Sequence, residues 1–192
     1  MMNAMRVGMR VLFEGKEKLA VKPKLGDLLR SLIGASLSIT ALMLLSHWSG
    51  HIWIMAPFGA SCVLLYAASQ SPLAQPRNII FGHLVSATIG LLVLKLLGAN
   101  VFSTAIAVGF SICLMQYFRC VHPPAGANPL VILLTAQSVH YGWEFLIFPV
   151  LLGSILLVVI AYCVNNSRSQ QAWPLYGLGL WHSQDKKNPN LD

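Results

Sequence analysis

The chain has 192 residues, 56% of them hydrophobic and only 10% charged, with a mean hydropathy of +0.65 and a formal net charge of +7. Soluble domains carry about 25% charged residues, so this composition excludes a soluble globule and predicts an integral membrane protein with one compact domain. The charge is not a nucleic-acid surface: Arg6, Arg10, Lys16, Lys18, Lys22, Lys24 and Arg30 all lie in the first thirty positions, the pattern of a cytoplasmic flank beside anionic lipid.

Residues 1–27 form that basic flank and lack the apolar core and small-residue cleavage site of a secretory leader. Six apolar runs follow, at 28–48, 51–68, 79–97, 101–118, 121–139 and 142–164. About twenty apolar residues cross a bilayer as a helix. Runs two and five are interrupted by Pro and Gly. A polar loop at 69–78, broken by Pro72 and Pro76, separates runs two and three. The transmembrane domain therefore spans 28–165, and 166–192 is a polar tail. If all six runs cross from a cytoplasmic start, Arg77, Arg119, Arg168, Lys186 and Lys187 fall inside, and the outer connections carry no Lys or Arg. Lys95 alone lies near the outer side. This obeys the positive-inside rule and places both termini in the cytoplasm, with the chain in the plasma (inner) membrane. The alternative is four full spans with runs two and five re-entrant.

The two halves, 28–97 and 98–165, correspond when the chain is shifted by 67 positions. Pro57, Gly59, Ala60 and Ser61 fall on Pro124, Gly126, Ala127 and Asn128. Three runs per half make the second half enter from the opposite face, so the expected fold is all-α, polytopic, with two inverted repeats and a site between them. Each motif reads as the start of a short helix. Ser61 and Asn128 suit the N-cap, Pro129 suits the first helical position, and Pro57, Pro123 and Pro124 stop a helix arriving from upstream. Helices over 62–70 and 129–139 are predicted, each about 15 Å long, half a bilayer. Their free amides at Gly59, Ala60, Gly126 and Ala127 would then meet and attract an anion.

The ionisable residues agree with an anion. No carboxylate lies between Asp27 and Glu144, while Arg77, Lys95, Arg119 and five His do. A cation path normally uses Asp or Glu in the membrane. His122 precedes the second motif and is a candidate hydrogen-bond donor, while Arg77 and Arg119 would raise the local potential or anchor the boundary. His83 reads as an interhelical hydrogen-bonding residue. Trp48, Trp53, Tyr66, Tyr117, Tyr141 and Trp143 read as interface belts. Cys62, Cys113, Cys120 and Cys163 lie in or beside apolar runs, without the spacing of a zinc site, so neither a metal nor another cofactor is expected. No Ser/His/Asp set or His-Glu-x-x-His string supports an enzyme. Gly34, Gly90, Gly109 and Gly153 suggest close helix contacts and a dimer.

The string His122-Pro123-Pro124-Ala-Gly-Ala-Asn128-Pro129 resembles the signature of the HPP family of integral membrane proteins. Residues 56–61 and 71–78, then Gly82-His83, look like that family's other characteristic stretches. The resemblance covers about 28–165 and implies a nitrite transporter, in a family commonly described with four spanning helices. Nitrite rests on the resemblance alone. The function expected is a carrier of a small inorganic monoanion, working by alternating access. A passive channel of the same architecture and a non-transporting assembly protein are the alternatives.

Overall fold

In the computed structural model the described residues are 21–167 and 172–179, and among them every regular element is helical. Helix α1 spans Leu25–Ser49 and ends on Gly50 in the left-handed conformation at φ 69°, which glycine adopts without a Cβ penalty. Helix α2 covers Ala56–Ala67, with Pro57 in its first turn. After a 3₁₀ turn at Pro72–Ala74 comes α3, Pro76–Leu97. Helix α4, Val101–Tyr117, opens on a reciprocal cap in which Asn100 and Ser103 each bond the other's backbone amide. A 3₁₀ turn at Pro123–Ala127 runs into α5, Asn128–Thr135. Pro149 holds Phe148 out of the helical region (φ −118°, ψ 117°), which breaks the chain before α6, Leu152–Asn166.

Among the described residues three helices are long and apolar enough to cross a membrane: Leu25–Ser49, Pro76–Leu97 and Trp143–Asn166 with its kink. The others are short. Helix α2, with 12 residues, and α5, with 8, reach about 18 Å and about 12 Å at ~1.5 Å per residue, against a hydrocarbon core of about 30 Å. The contacts give the direction of each element. Ser31 and Ser38 of α1 both meet Tyr66 near the end of α2, and Trp53, just before α2, reaches back to Ser46 near the end of α1, so these two run antiparallel. Asn128 meets His83, and Ile132 meets Gly90, so α5 runs parallel to α3. Phe58 meets Gly153, and Leu65 meets Asn165, so α6 runs parallel to α2. Gln75 at the head of α3 bonds Ser69 just past α2 while Ser61 meets His83, so α2 and α3 are antiparallel. Arg77 near the start of α3 meets Phe118 and Arg119 at the end of α4, so α3 and α4 are too; the six segments thus alternate in direction.

Large apolar side chains such as Leu32, Phe102, Ile106, Phe110, Leu134 and Val159 face outward, as lipid contact requires. The core contains Leu42, Phe58, Leu65, Ile79, Leu91, Ile132 and Leu157. Close approach within it depends on absent side chains. A Cβ on Gly82 would sit 2.8 Å from His122 Cβ and 2.9 Å from the Cys120 carbonyl. Gly34 lies under the Tyr66 ring, Gly153 under Phe58, and Gly90 under Pro129 and Ile132. Three of the four glycines expected at a dimer contact are therefore occupied within the chain, and only Gly109 faces outward with nothing within 4 Å. Two aromatic residues read as interface belts are also internal. Tyr66 is buried with its hydroxyl on Ser38, and Tyr141 is buried with its hydroxyl on Thr135.

The described part of the tail returns to the bundle instead of standing free. Trp173 is 2% exposed, and Asn166 bonds its backbone on both sides. The Leu175 amide donates to Gln75 Oε1 at 2.7 Å. The Tyr176 hydroxyl lies 2.5 Å from the Pro72 carbonyl and 2.9 Å from Asn78 Oδ1. Burial raises the Tyr176 hydroxyl above its ordinary pKa, with Arg77 pulling the other way, so it remains a donor at neutral pH.

Two outcomes follow from this packing. Gly82→Ala should lower stability by about 1–3 kcal/mol, because the methyl meets backbone and a ring stem, not a flexible tip. Gly109→Ala should leave stability unchanged or raise it by about 0.5–1 kcal/mol. Thermal unfolding in detergent compares the two. Trp173→Ala should release the strap formed by tail residues 172–179, so that the Leu175 amide exchanges about tenfold faster or more in hydrogen-exchange mass spectrometry.

Candidate functional site

Membrane interiors demand that every polar group find an internal partner. Among the described residues, a group of five buried polar side chains gathers where the two short helices pass α3. Ser61 of α2, His83 and Ser86 of α3, His122 before the 3₁₀ turn, and Asn128 of α5 are each 0–1% exposed. Ser61 Oγ lies 2.9 Å from His83 Nε2 and 2.8 Å from His122 Nε2. His122 Nδ1 lies 2.8 Å from the Leu73 carbonyl, and Asn128 Nδ2 reaches the His83 carbonyl at 3.0 Å and Ser86 Oγ at 2.7 Å. Phe58 closes the cluster edge-on to His83, and the two imidazoles cross at 66° with centroids 5.1 Å apart.

The proton positions follow from donor arithmetic. A carbonyl can only accept, so His122 Nδ1 carries a hydrogen toward Leu73. Neutral His122 then accepts at Nε2, and the one hydroxyl hydrogen of Ser61 goes there. Ser61 Oγ must accept from His83, which places that ring's hydrogen on Nε2. His83 Nδ1 is left as an acceptor for Asn128 Nδ2 at 3.1 Å: one of the two amide hydrogens goes to Ser86 Oγ, and His83 Nδ1 shares the other with the His83 carbonyl, while Asn128 Oδ1, at 3.4 Å, is the weaker contact. The donors therefore run in one direction, Asn128 to His83 to Ser61 to His122 to the Leu73 carbonyl.

Several expectations change. Ser61 does not cap a helix beginning at 62. It is the sixth residue of α2, because Pro57 lies in that helix's first turn and Met55 is its cap, so the amides of Ala60 and Ser61 fall past the free ones. Its side chain is available to the histidines for that reason. Asn128 is not a cap either. It has helical backbone angles, Ala127 precedes it in the cap position, and the side chain turns to α3. The amide cradle is absent as drawn: Pro123 and Pro124 have no N–H, and the Ala125 amide donates to the His122 carbonyl. Pro129 is buried in the first turn of α5, as its fixed φ favours. Gly59 and Ala60 face outward, and Gly126 and Ala127 are half-buried, so none of the four joins the cluster.

Arg77 and Arg119 also lie away from it, at the end of the bundle that holds the strap. Arg77 donates to the carbonyls of Phe118 (2.8 Å), Arg119 (3.3 Å) and Leu178 (3.1 Å). Arg119 has φ 54°, and the next amide, Cys120, bonds back to Met115, which closes α4 in the manner usually left to glycine. Arg77 thus binds the turn that launches the His122 motif. Asn78 serves the same end, with Nδ2 on the Val121 carbonyl at 2.7 Å, while Gln75 holds the Ser69 and Ser71 carbonyls and the Leu175 amide. Ser86 and the Leu73 carbonyl escaped the sequence reading. The spacing of Ser86 three residues after His83 was the available signal for the first, and the second has none. Among the described residues no group of three or more His, Cys, Asp or Glu stands together as a metal site.

The family model for the HPP transmembrane region matches residues 20–174. Two transmembrane proteins of Dictyostelium discoideum are similar, one 33% identical over 172 residues, covering 85% of this chain and 55% of the relative. The other is 37% identical over 127 residues, covering 64% of this chain and 45% of the relative. The chain spans about half the length of these curated relatives. No solved structure matches it. The chain belongs to the HPP transmembrane family.

The proton assignment is checked by ¹⁵N spectra of labelled protein in lipid, which should show His122 protonated on Nδ1 and His83 on Nε2 at neutral pH. Ser61→Ala removes the oxygen both rings share and should cost about 1–3 kcal/mol in thermal unfolding, the range for buried groups left without a partner.

Proposed function

We propose that this HPP-family membrane protein carries a small inorganic monoanion, nitrite foremost, through the cluster of Ser61, His83, Ser86, His122 and Asn128. One observation carries the reading. Five polar side chains converge, fully buried, where two helices too short to cross the bilayer abut a full span. Polar groups inside a membrane are costly and mark pathways. The cluster contains hydrogen-bond donors and imidazoles and no carboxylate, a set that suits an anion. Nitrite itself comes from the family resemblance.

The alternating directions of the six segments are what two inverted three-segment halves require, and rocking of one half against the other is the proposed way of exposing the cluster to each side in turn. In this reading both termini are cytoplasmic, since Arg77, Arg119 and the strap lie at the same end of the bundle as the start of α1, where Ser31 meets Tyr66. One observation favours a second reading, a non-transporting assembly protein: each polar side chain of the cluster already has an internal partner, as a packing lock would.

Purified protein in proteoliposomes should take up nitrite with saturation, which separates a carrier from a passive channel. Ser61→Ala and Asn128→Leu should each cut uptake about tenfold or more, the equivalent of ~1.4 kcal/mol in the barrier. Unchanged flux in both folded variants removes the cluster from the pathway. Absence of flux for nitrite, nitrate and formate alike selects the assembly reading.

A further inference from the structure

The buried cluster has a second hydrogen-bond arrangement that its heavy atoms already allow. The Pro57 carbonyl lies 3.3 Å from Ser61 Oγ, one helical turn back. In the neutral arrangement the Ser61 hydrogen points to His122 Nε2 instead, at 2.8 Å. When a proton arrives on His122 Nε2, the Ser61 hydrogen can swing to Pro57. Ser61 Oγ then accepts one N–H from each ring, at 2.8 and 2.9 Å. His122 Nδ1–H stays on the Leu73 carbonyl, and Asn128 stays on His83 Nδ1. Every polar atom keeps a partner and no heavy atom has to move.

Only the charge is left over, and among the described residues no carboxylate faces the cluster to neutralise it. Helix α2 contributes Cys62 and Tyr66, both buried, and the turn after α4 contributes Cys120. Helix α3 contributes Arg77, whose guanidinium lies on the three carbonyls of the turn and the strap, and Lys95 in its last turn, whose ammonium lies on the Tyr141 carbonyl and over the Trp143 ring. Helix α4 carries Cys113 and Tyr117, and α6 carries Tyr162 and Cys163, all exposed. Helix α5 has no titratable side chain. On α1, Asp27 pairs with Arg30 at 3.1 Å, and His47 is exposed in the last turn. Glu144, the next carboxylate in the chain, is exposed. A buried cation without a counter-charge is strongly unfavourable, whereas a monoanion beside it supplies the missing charge.

We propose that the His83–Ser61–His122 triad takes up one proton with each anion, so that the protein is an electroneutral proton–anion symporter. This rests on the anion-carrier reading above. The proton comes from water on the loading side, resides on His122 Nε2 and leaves to water on the other side. Only N–H and O–H bonds change, and no electrons move. Binding is reciprocal: the anion favours the proton and the proton favours the anion by the same factor.

The test uses the full chain in proteoliposomes, with the nitrite leak of protein-free vesicles subtracted. Uptake is driven either by an inward proton gradient at zero potential or by a valinomycin-set potassium potential at equal pH. The expected result is that one pH unit, acid outside, supports about tenfold nitrite accumulation at 1:1 coupling, and that potential of either sign leaves the rate unchanged. His122→Gln, which cannot take the second proton, should lose accumulation driven by the pH gradient. Protein-dependent nitrite flux that follows potential and ignores the proton gradient overturns the symport while leaving the anion carrier standing. No protein-dependent flux under either drive overturns both. Should His122→Gln fail to fold, ¹⁵N spectra of the unaltered protein at pH 6 serve instead. Saturating nitrite should add a second N–H to His122, and a ring that stays singly protonated refutes the proposal.

Discussion

One hydroxyl oxygen organises the interior. Ser61 Oγ stands between the Nε2 atoms of two buried imidazoles, and in a bilayer neither ring has water as a substitute partner. The rest of the arrangement serves that meeting. Helix α2 is short enough to place Ser61 within the bundle's depth. Gly82 lets the chain before the second motif lie directly on α3, which puts His122 beside His83. Asn128 then fixes the far side of His83, and the Leu73 carbonyl fixes the far side of His122. A network in which each member has one role is either satisfied throughout or expensive throughout.

Much of this was legible in the residues. Hydropathy alone located the segments, because roughly twenty apolar residues in succession have few other uses. The two Pro/Gly strings mark the short helices, and Ser61, His122 and Asn128 stand out within them by sequence alone. Their manner of participation was not legible. The reading of Ser61 as a cap assumed that Pro57 stopped a helix, whereas proline is equally at home in a first turn, and that single choice moves the helix start by six residues. His83 reads as an interhelical hydrogen-bonding residue, which it is, and its partners are the motif residues themselves. Nothing in a one-dimensional string shows that the carbonyl of Leu73 is 2.8 Å from a ring 49 residues away.

The basic residues illustrate the same limit. The sequence offers Arg77 and Arg119 two roles, raising the potential at the site or anchoring the boundary. In space their contribution is mechanical. Arg119 adopts the left-handed conformation that ends α4, a geometry costing a non-glycine residue about 1–2 kcal/mol, and Arg77 clasps the carbonyls on that turn. The same guanidinium holds Leu178 of the strap, and Gln75, Asn78 and Pro72 hold its neighbours. The loop that supplies the Leu73 carbonyl to His122 is thus the loop on which the strap rests, a continuous set of contacts from the surface to the buried rings.

The glycine seats have an evolutionary corollary. Gly34, Gly82, Gly90 and Gly153 each lie under a residue that belongs to the cluster or braces it: Tyr66, His122, the Pro129–Ile132 turn and Phe58. None of these pairs is free to drift one member at a time. A methyl at position 34 demands a trimmed ring at 66, whereas a methyl at 153 or 82 also meets a backbone carbonyl, of Trp53 or Cys120, that no side-chain change relieves. Across divergent homologues these four pairings should therefore change in concert or not at all, leaving a covariation trace of the interior on helices whose outer faces vary freely with the lipid they meet.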